Sequence, residues 1–362
     1  MLHLTFLLRA GLLGAACLLV LPVVAKEQYT ISASVEVEAY SDIGPIKQLL
    51  DDLEGPALDD GNFAFTHNQA ELSYKEGRFE LSLFARYDYY LRFNRDTVDL
   101  AYQYKNDLPL DEGRVYQLYL DAKHIRANGV GYSYYFSPAA KWSSKVRLNL
   151  LRALEVKEGG MQGFLVSRED DYDADIGLDY IYSEDTLLKR PPESVRAHGY
   201  GFDIDVGYQP TARLGVALAL RDVLTRLEWD DVTYTRARLT SNNVSFDENG
   251  TIQTRPALSG IESYRDETQR MPLRAALAAD YQLSEKNAVN ASLFSYDGRV
   301  FPRLGGSQQV GQFLVSADVD LRSRALAVGA ELSGLSLMLR SDNTDWEKAS
   351  HLAFSLAYHY RF

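Results

Sequence analysis

Residues 79–93, FELSLFARYDYYLRF, set Phe79, Leu81, Leu83, Ala85, Tyr87, Tyr89, Leu91 and Phe93 at every second position. Between them fall Glu80, Ser82, Arg86, Asp88 and Arg92, with Arg78 just before. A period of two means a strand with one apolar and one polar face. The same alternation runs through Tyr29, Ile31, Ala33, Val35, Val37 and Ala39, and recurs at 172–182, 202–208, 214–220, 271–281 and 313–321. A soluble sandwich would alternate too, but its strands usually span about 5 or 6 residues. Here they are far longer. Tight turns at 75–77, 209–211 and 284–286 alternate with long polar loops, and aromatics such as Tyr132, Tyr134, Phe136, Tyr180 and Tyr182 gather at strand ends. Short turns on one side, long loops on the other and aromatic girdles are the marks of a transmembrane barrel. In lipid, such a sheet satisfies its backbone only by closing. The pattern therefore predicts an all-β chain forming a closed antiparallel transmembrane β-barrel.

Walking the turns predicts about sixteen strands, with fourteen to eighteen left open. Residues 97–106 read as a strand, and 114–125 with 129–137 and 143–155 with 160–168 read as two pairs of strands. In 324–341 the apolar face flips between Leu332 and Leu335 across Ser333-Gly334, which fits either one bulged strand or a hairpin. The loop 41–62 predicts a short helix: Pro45 opens it, Ile46, Leu49, Leu50 and Leu53 share a face, and Gly55 stops it. The loop 228–266 carries Asn249-Gly250, a hairpin-turn dipeptide, and predicts a β-finger above the membrane.

The chain of 362 residues carries 50 acidic and 38 basic side chains, a formal charge of −12, and holds 24 Tyr but 1 Cys. Residues 1–25 read as a signal peptide, with Arg9 before an apolar stretch and Val23, Val24 and Ala25 at a cleavage site, leaving 26–362 as the barrel. A lipobox ending at Cys17 is the weaker reading, because greasy residues follow it. Cleavage removes one Arg and the lone Cys, leaving −13 and a thiol-free chain suited to an oxidising compartment. That acidity excludes nucleic acid as a partner.

The chain ends Leu356-Ala357-Tyr358-His359-Tyr360-Arg361-Phe362. Alternating aromatics and a terminal Phe resemble the assembly signal of Gram-negative outer-membrane proteins. The resemblance implies export, recognition of Tyr358, Tyr360 and Phe362 by the barrel-assembly machinery, and residence in the outer membrane among its lipid and lipopolysaccharide. The glycine-punctuated stretch from His198 through Gly199, Gly201, Asp203, Asp205, Gly207 and Pro210 to Asp222 resembles the middle strands of the long-chain fatty-acid transporter superfamily and its conjugation-associated relatives. It covers about 25 residues, and no binding residue is carried over from it.

Asp171, Asp173, Asp175 and Asp179 have the opening spacing of a calcium loop. Ile176 stands where that loop needs Gly, and Tyr182 where it needs the closing Glu, so no metal and no cofactor is expected. On a strand, Asp173, Asp175 and Asp179 share a face. With Asp203 and Asp205 on the next strand they predict an acidic lumen wall, opposed by Arg78, Arg86, Arg92, Lys145 and Arg147. His67, His124, His198 and His351 map near the extracellular rim, without a nucleophile elbow or a zinc motif beside them.

The residues thus favour a channel or uptake barrel for small polar or amphipathic solutes, cation-preferring, and not an enzyme. A barrel serving secretion, assembly or envelope attachment is the alternative, and a rim-located hydrolase the remote one. The oligomeric state is not announced by the sequence.

Overall fold

The computed structural model describes residues 29–169, 172–184, 195–241, 244–246, 252–254 and 258–362. The stretch 1–25 read as a signal peptide, with its Cys17, and also Asp171 and the Asn249-Gly250 dipeptide read as a turn, lie outside the described residues. Among the described residues the first half holds β1 (Tyr29–Ser41), β2 (Phe63–Glu76), β3 (Phe79–Phe93), β4 (Val115–Phe136), β5 (Trp142–Ser167), β6 (Tyr172–Tyr182), β7 (Ala197–Tyr208) and β8 (Leu214–Thr240). The second half holds β9 (Val244–Phe246), β10 (Ile252–Thr254), β11 (Leu258–Gln269), β12 (Arg274–Gln282), β13 (Asn287–Tyr296), β14 (Arg299–Val310), β15 (Phe313–Asp320), β16 (Leu326–Leu332), β17 (Leu335–Ser341) and β18 (His351–Arg361). Two helices, α1 (Ile46–Leu50) and α2 (Arg95–Lys105), lie in the long loops.

All pairings are antiparallel, and β18 pairs with β1 from Arg361↔Thr30 to His351↔Tyr40, closing the wall. Fourteen strands form it: β1–β5, β7, β8 and β12–β18. The other elements come from the length of β5 and β8, which run 26 and 27 residues, against about 9–11 needed to cross a bilayer. The lower part of β5 pairs with β7 and its upper part with β6. The lower part of β8 lies between β7 and β12, and its upper part between β6 and β11. So β6 stands above β7 and β11 above β12. One side of the barrel continues upward as an extracellular sheet, while the β15–β16 side ends in a short turn.

The lipid-facing belt is the apolar set read from the sequence: Leu81, Leu83, Val130, Leu150, Leu277, Leu293, Leu304, Val315, Val328 and Leu339 are all exposed on the outer face. Its lower edge is aromatic, with Phe79 stacked on Tyr132, Trp142 on Tyr208, and Tyr29 on Phe362. With that belt on a closed wall, the chain is an outer-membrane β-barrel.

The strand count settles at fourteen because several boundaries move. Residues 97–106 are α2, not a strand: the Asn94 side chain accepts from the Thr97 N–H at the helix start, and Arg95 pairs with Asp99 one turn on. The predicted pair 114–125 and 129–137 is one strand, β4. Gly129 marks no turn; a Cβ there would lie 2.2 Å from the Phe84 ring, which uses the space. Likewise the predicted pair 143–155 and 160–168 is one strand, β5, with a register shift against β4 near Ala153. The doubtful 324–341 is a hairpin, turned by Ser333 and Gly334 at positive φ. The first-loop helix forms as α1, and β9 pairs with β10 in a separate two-stranded ladder that lies between β8 and β11 in the chain.

Candidate functional site

Along β8, Leu214, Val216, Leu218 and Leu220 lie on the lipid side, so strict alternation would put Asp222 into lipid as well. The chain avoids this. Asp222 and Leu224 take left-handed backbone conformations (φ 63° and 57°), and the register with β7 slips twice, around Phe202. Leu224 stays outside, 75% exposed. The Asp222 carboxylate turns into the lumen, where it accepts from Arg86 Nη2 of β3 across the barrel at 2.8 Å and from Arg274 Nη2 of β12 at 3.0 Å.

A lattice of buried ion pairs grows from this point. Arg86 also binds Asp88, whose other oxygen is 2.8 Å from His67 Nδ1. The Asp222 N–H donates to Asp203, and Asp203 accepts from Asn149 Nδ2 at 2.8 Å. Arg147 of β5 reaches across to Glu71 of β2 at 2.8 and 3.0 Å. Gly131 makes that reach feasible, since a Cβ there would lie 2.4 Å from Arg147 Nε. Asp205 is held between Lys145 at 3.2 Å and Arg221 at 2.6 Å.

The lattice encloses a cavity of about 220 Å³ at mid-height in the lumen. Arg86, Arg147, Arg221, Arg274 and Lys145 face it against Glu36, Glu71, Asp203 and Asp222. Two apolar clusters lie extracellular to it. One is aromatic, with Tyr40, Phe63, Phe65, Tyr90, Tyr296 and Phe301 buried together; its edge-on pairs include Tyr40–Phe301 at 4.9 Å and Phe65–Tyr296 at 5.1 Å. The other packs Leu151, Val156, Ile181, Leu227 and Trp229 under the extracellular sheet.

The residues predicted from sequence separate into three places. Arg86, Asp203 and Asp205 line or adjoin the cavity. Asp173, Asp175 and Asp179 do not share a lumen wall with them: β6 lies above β7 rather than beside it. There Asp173 pairs with Arg168, Asp175 with Arg238, and Asp179 with Arg236 and Arg265, the last three pairs crossing or bordering a groove of about 1060 Å³ on the sheet. Arg78 is exposed in the β2–β3 turn on the periplasmic side, and Arg92 is at the upper rim, 3.8 Å from Asp297. Of the four histidines, His67 joins the lattice, His124 donates from Nδ1 to the Asp88 carbonyl, and His198 is exposed. His351 is fully buried beside Glu38. Sequence reading passed over Asp222 and Arg274 as site residues. The signal for Asp222 was a carboxylate on the lipid-facing parity of β8.

No protein-family model matches the chain, and no curated protein matches it. Among solved structures it is similar to a TodX deletion mutant described as a monoaromatic hydrocarbon channel, at 10% identity and TM-score 0.46, covering 94% of this chain and 91% of that one. It is also similar to the Ralstonia pickettii toluene transporter TbuX, at 10% identity and TM-score 0.42 over 94% and 90% of the two chains. A Pseudomonas aeruginosa FadL homologue is similar at 13% identity and TM-score 0.40, over 92% and 89%.

Proposed function

We propose that this barrel is an outer-membrane uptake route for small amphipathic solutes, shut at rest by its own ion pairs and aromatics rather than standing open. One observation carries the reading: Gly201, Asp203, Arg221 and Asp222 line the cavity and also lie at the break in register between β7 and β8. A wall that is irregular next to a charged cavity has a movable boundary, whereas a rigid plug would be served better by regular pairing. The lining carries five cationic and four acidic side chains. It therefore suits a solute presenting polar groups of both signs or a dipole, with an apolar part against Phe84 and Leu151. Any preference for cations in conduction rests on the chain's net acidity and on Asp203 and Asp205, not on a one-signed stripe.

The test is flux into liposomes containing the refolded barrel, using a panel of aromatic and alkyl acids, amines and zwitterions. The parent should show little steady ionic conductance, yet admit at least one amphipathic solute faster than protein-free liposomes do. Uniform exclusion of the panel would leave the secretion, assembly or attachment reading in its place.

A further inference from the structure

Glu38, Ser323 and His351 come from β1, the β15–β16 turn and the start of β18, and they converge at the low side of the extracellular rim. His351 Nδ1 lies 2.7 Å from Ser323 Oγ, and its Nε2 lies 3.1 Å from Glu38 Oε1. A carboxylate on Nε2 holds the proton on that nitrogen and leaves Nδ1 with a free lone pair facing the hydroxyl. This is the nucleophile–base–acid order of a serine hydrolase, which is recognised by geometry and not by chain order. We propose that Ser323, His351 and Glu38 form a hydrolytic relay acting on carboxylic esters of amphiphiles at the outer-leaflet interface.

Other groups hold most of the local backbone, and the Ala325 N–H also donates to Ser323 Oγ at 3.4 Å. Asp320 already binds the turn through the N–H groups of Arg322 and Ser323, at 3.0 and 3.1 Å. Asp342 already binds the His351 N–H at 2.9 Å. The side-chain relay is additional to both. Glu38 is itself fixed, accepting from Arg303 at 2.9 Å. Ser323 is half-buried while His351 is fully buried, so the serine is the more exposed of the two. The turn is flanked on the lipid side by Leu321 and Leu326, each 53% exposed, which puts Ser323 at the edge of the hydrocarbon layer. The rings of Tyr40 at 5.4 Å and Phe301 at 6.3 Å pack edge-on beside His351 and bury it.

In the first step Ser323 Oγ bonds to the ester carbonyl carbon as its proton passes to His351 Nδ1. The carbonyl electron pair moves onto oxygen, in a turn where Arg322 and Arg324 flank the serine. Collapse breaks the ester C–O bond, and the leaving alcohol takes the proton from His351. Water then attacks the acyl-serine, gives a proton to His351, and releases the carboxylic acid and the free hydroxyl. Nothing beyond ester and water is consumed.

The test treats the folded, detergent-solubilised full chain with an alkyl fluorophosphonate and maps the adduct by peptide mass. The expected result is one adduct, on Ser323, absent in Ser323→Ala and at least tenfold slower in His351→Gln, with the heat-dependent gel mobility of each variant reporting that it is folded. The same samples should hydrolyse a long-chain p-nitrophenyl ester in micelles, with the Ser323→Ala rate falling to that of detergent alone. A folded parent that takes no adduct at Ser323 overturns the relay. Labelling with hydrolysis of monomeric short-chain esters only overturns the interfacial substrate. Either outcome is independent of solute flux, which tests the uptake reading.

Discussion

Asp222 shows how one residue sets the interior. A charge left on the lipid face near midplane costs roughly 2–4 kcal/mol for Arg or Lys and less for Asp. A left-handed backbone costs about 1–3 kcal/mol. The two are comparable, and what tips the balance is the guanidinium pair that the turned carboxylate meets. Arg86 and Arg274 both need it: without Asp222, Arg86 keeps only Asp88, and Arg274 loses the carboxylate it binds. Removing one partner of a buried pair typically costs about 3–5 kcal/mol. Asp222→Ala should therefore lower the unfolding free energy of the refolded barrel, obtained from urea titration followed by tryptophan fluorescence, by an amount in that range. The double variant Arg86→Gln with Asp222→Asn should lose less than the two single changes added together, because it leaves fewer charges unmatched. Additive losses would show that the pair is not coupled. The Ser323–His351 contact was out of reach of sequence reading for a related reason. No short motif surrounds it, and barrel closure alone brings the first and last strands together.

At the scale of elements, closure depends on the final strand. Phe362 N–H donates to the Tyr29 carbonyl and Tyr29 N–H to the Phe362 carbonyl, at 3.1 and 3.2 Å, and the two rings stack at 5.6 Å. Deleting Phe362 should leave the protein degraded in the periplasm, seen by fractionation and by loss of heat-modifiable mobility, while shortening the 342–350 loop should not. Normal outer-membrane levels of the deletion would remove this role. The helix α2 was illegible as a helix because Val98, Leu100, Tyr102 and Tyr104 mimic a strand's period of two. Its local signals were the Asn94 cap and the Arg95–Asp99 spacing, which are not part of that pattern. Partial burial raises the pKa of Asp96 in its first turn, but hydrogen bonds from Arg114 and the Gln117 N–H outweigh that and hold it below the usual carboxylate range. A depressed folded value means stabilisation present above the unfolded pKa, about 3.9, and lost as pH falls below it. Amide exchange over 95–105, corrected for intrinsic rate, should therefore accelerate below about pH 4 and be flat between pH 5 and 7. Asp96→Asn should abolish the pH step.

At the scale of the molecule, the alternation of the strands disclosed the closed wall and its lipid face but not the height of each strand. Tyr172–Tyr182 alternates as cleanly as any membrane strand, since a sheet packed on α2 and a loop also has two unlike faces. Only the pairing of β5 first with β7 and then with β6 separates the two acidic groups. Asp203 faces Arg147 on β5, whereas Asp179 faces Gly160 and Asp173 faces Val166. At about 3.3 Å per residue the separation along β5 is roughly 40–60 Å. The screening length is about 10 Å at 0.1 M salt, so the β6 carboxylates act on a pore ion only weakly, and each has an arginine beside it. The double variant Arg86→Gln with Asp222→Asn removes the cross-lumen pair and should conduct where the parent is nearly silent. In that opened background Asp203→Asn with Asp205→Asn strips the acids from Lys145, Arg147 and Arg221, leaving a surplus of positive charge in the lumen. The reversal potential in a tenfold gradient at low salt should shift toward anion preference, and the shift should vanish near 1 M salt, where screening falls to about 3 Å. Asp173→Asn with Asp175→Asn and Asp179→Asn should leave the reversal potential unchanged. A shift from the β6 triple variant equal to that from the β7 pair would mean that both rows line one pore, and the stacked arrangement of β6 over β7 would be wrong.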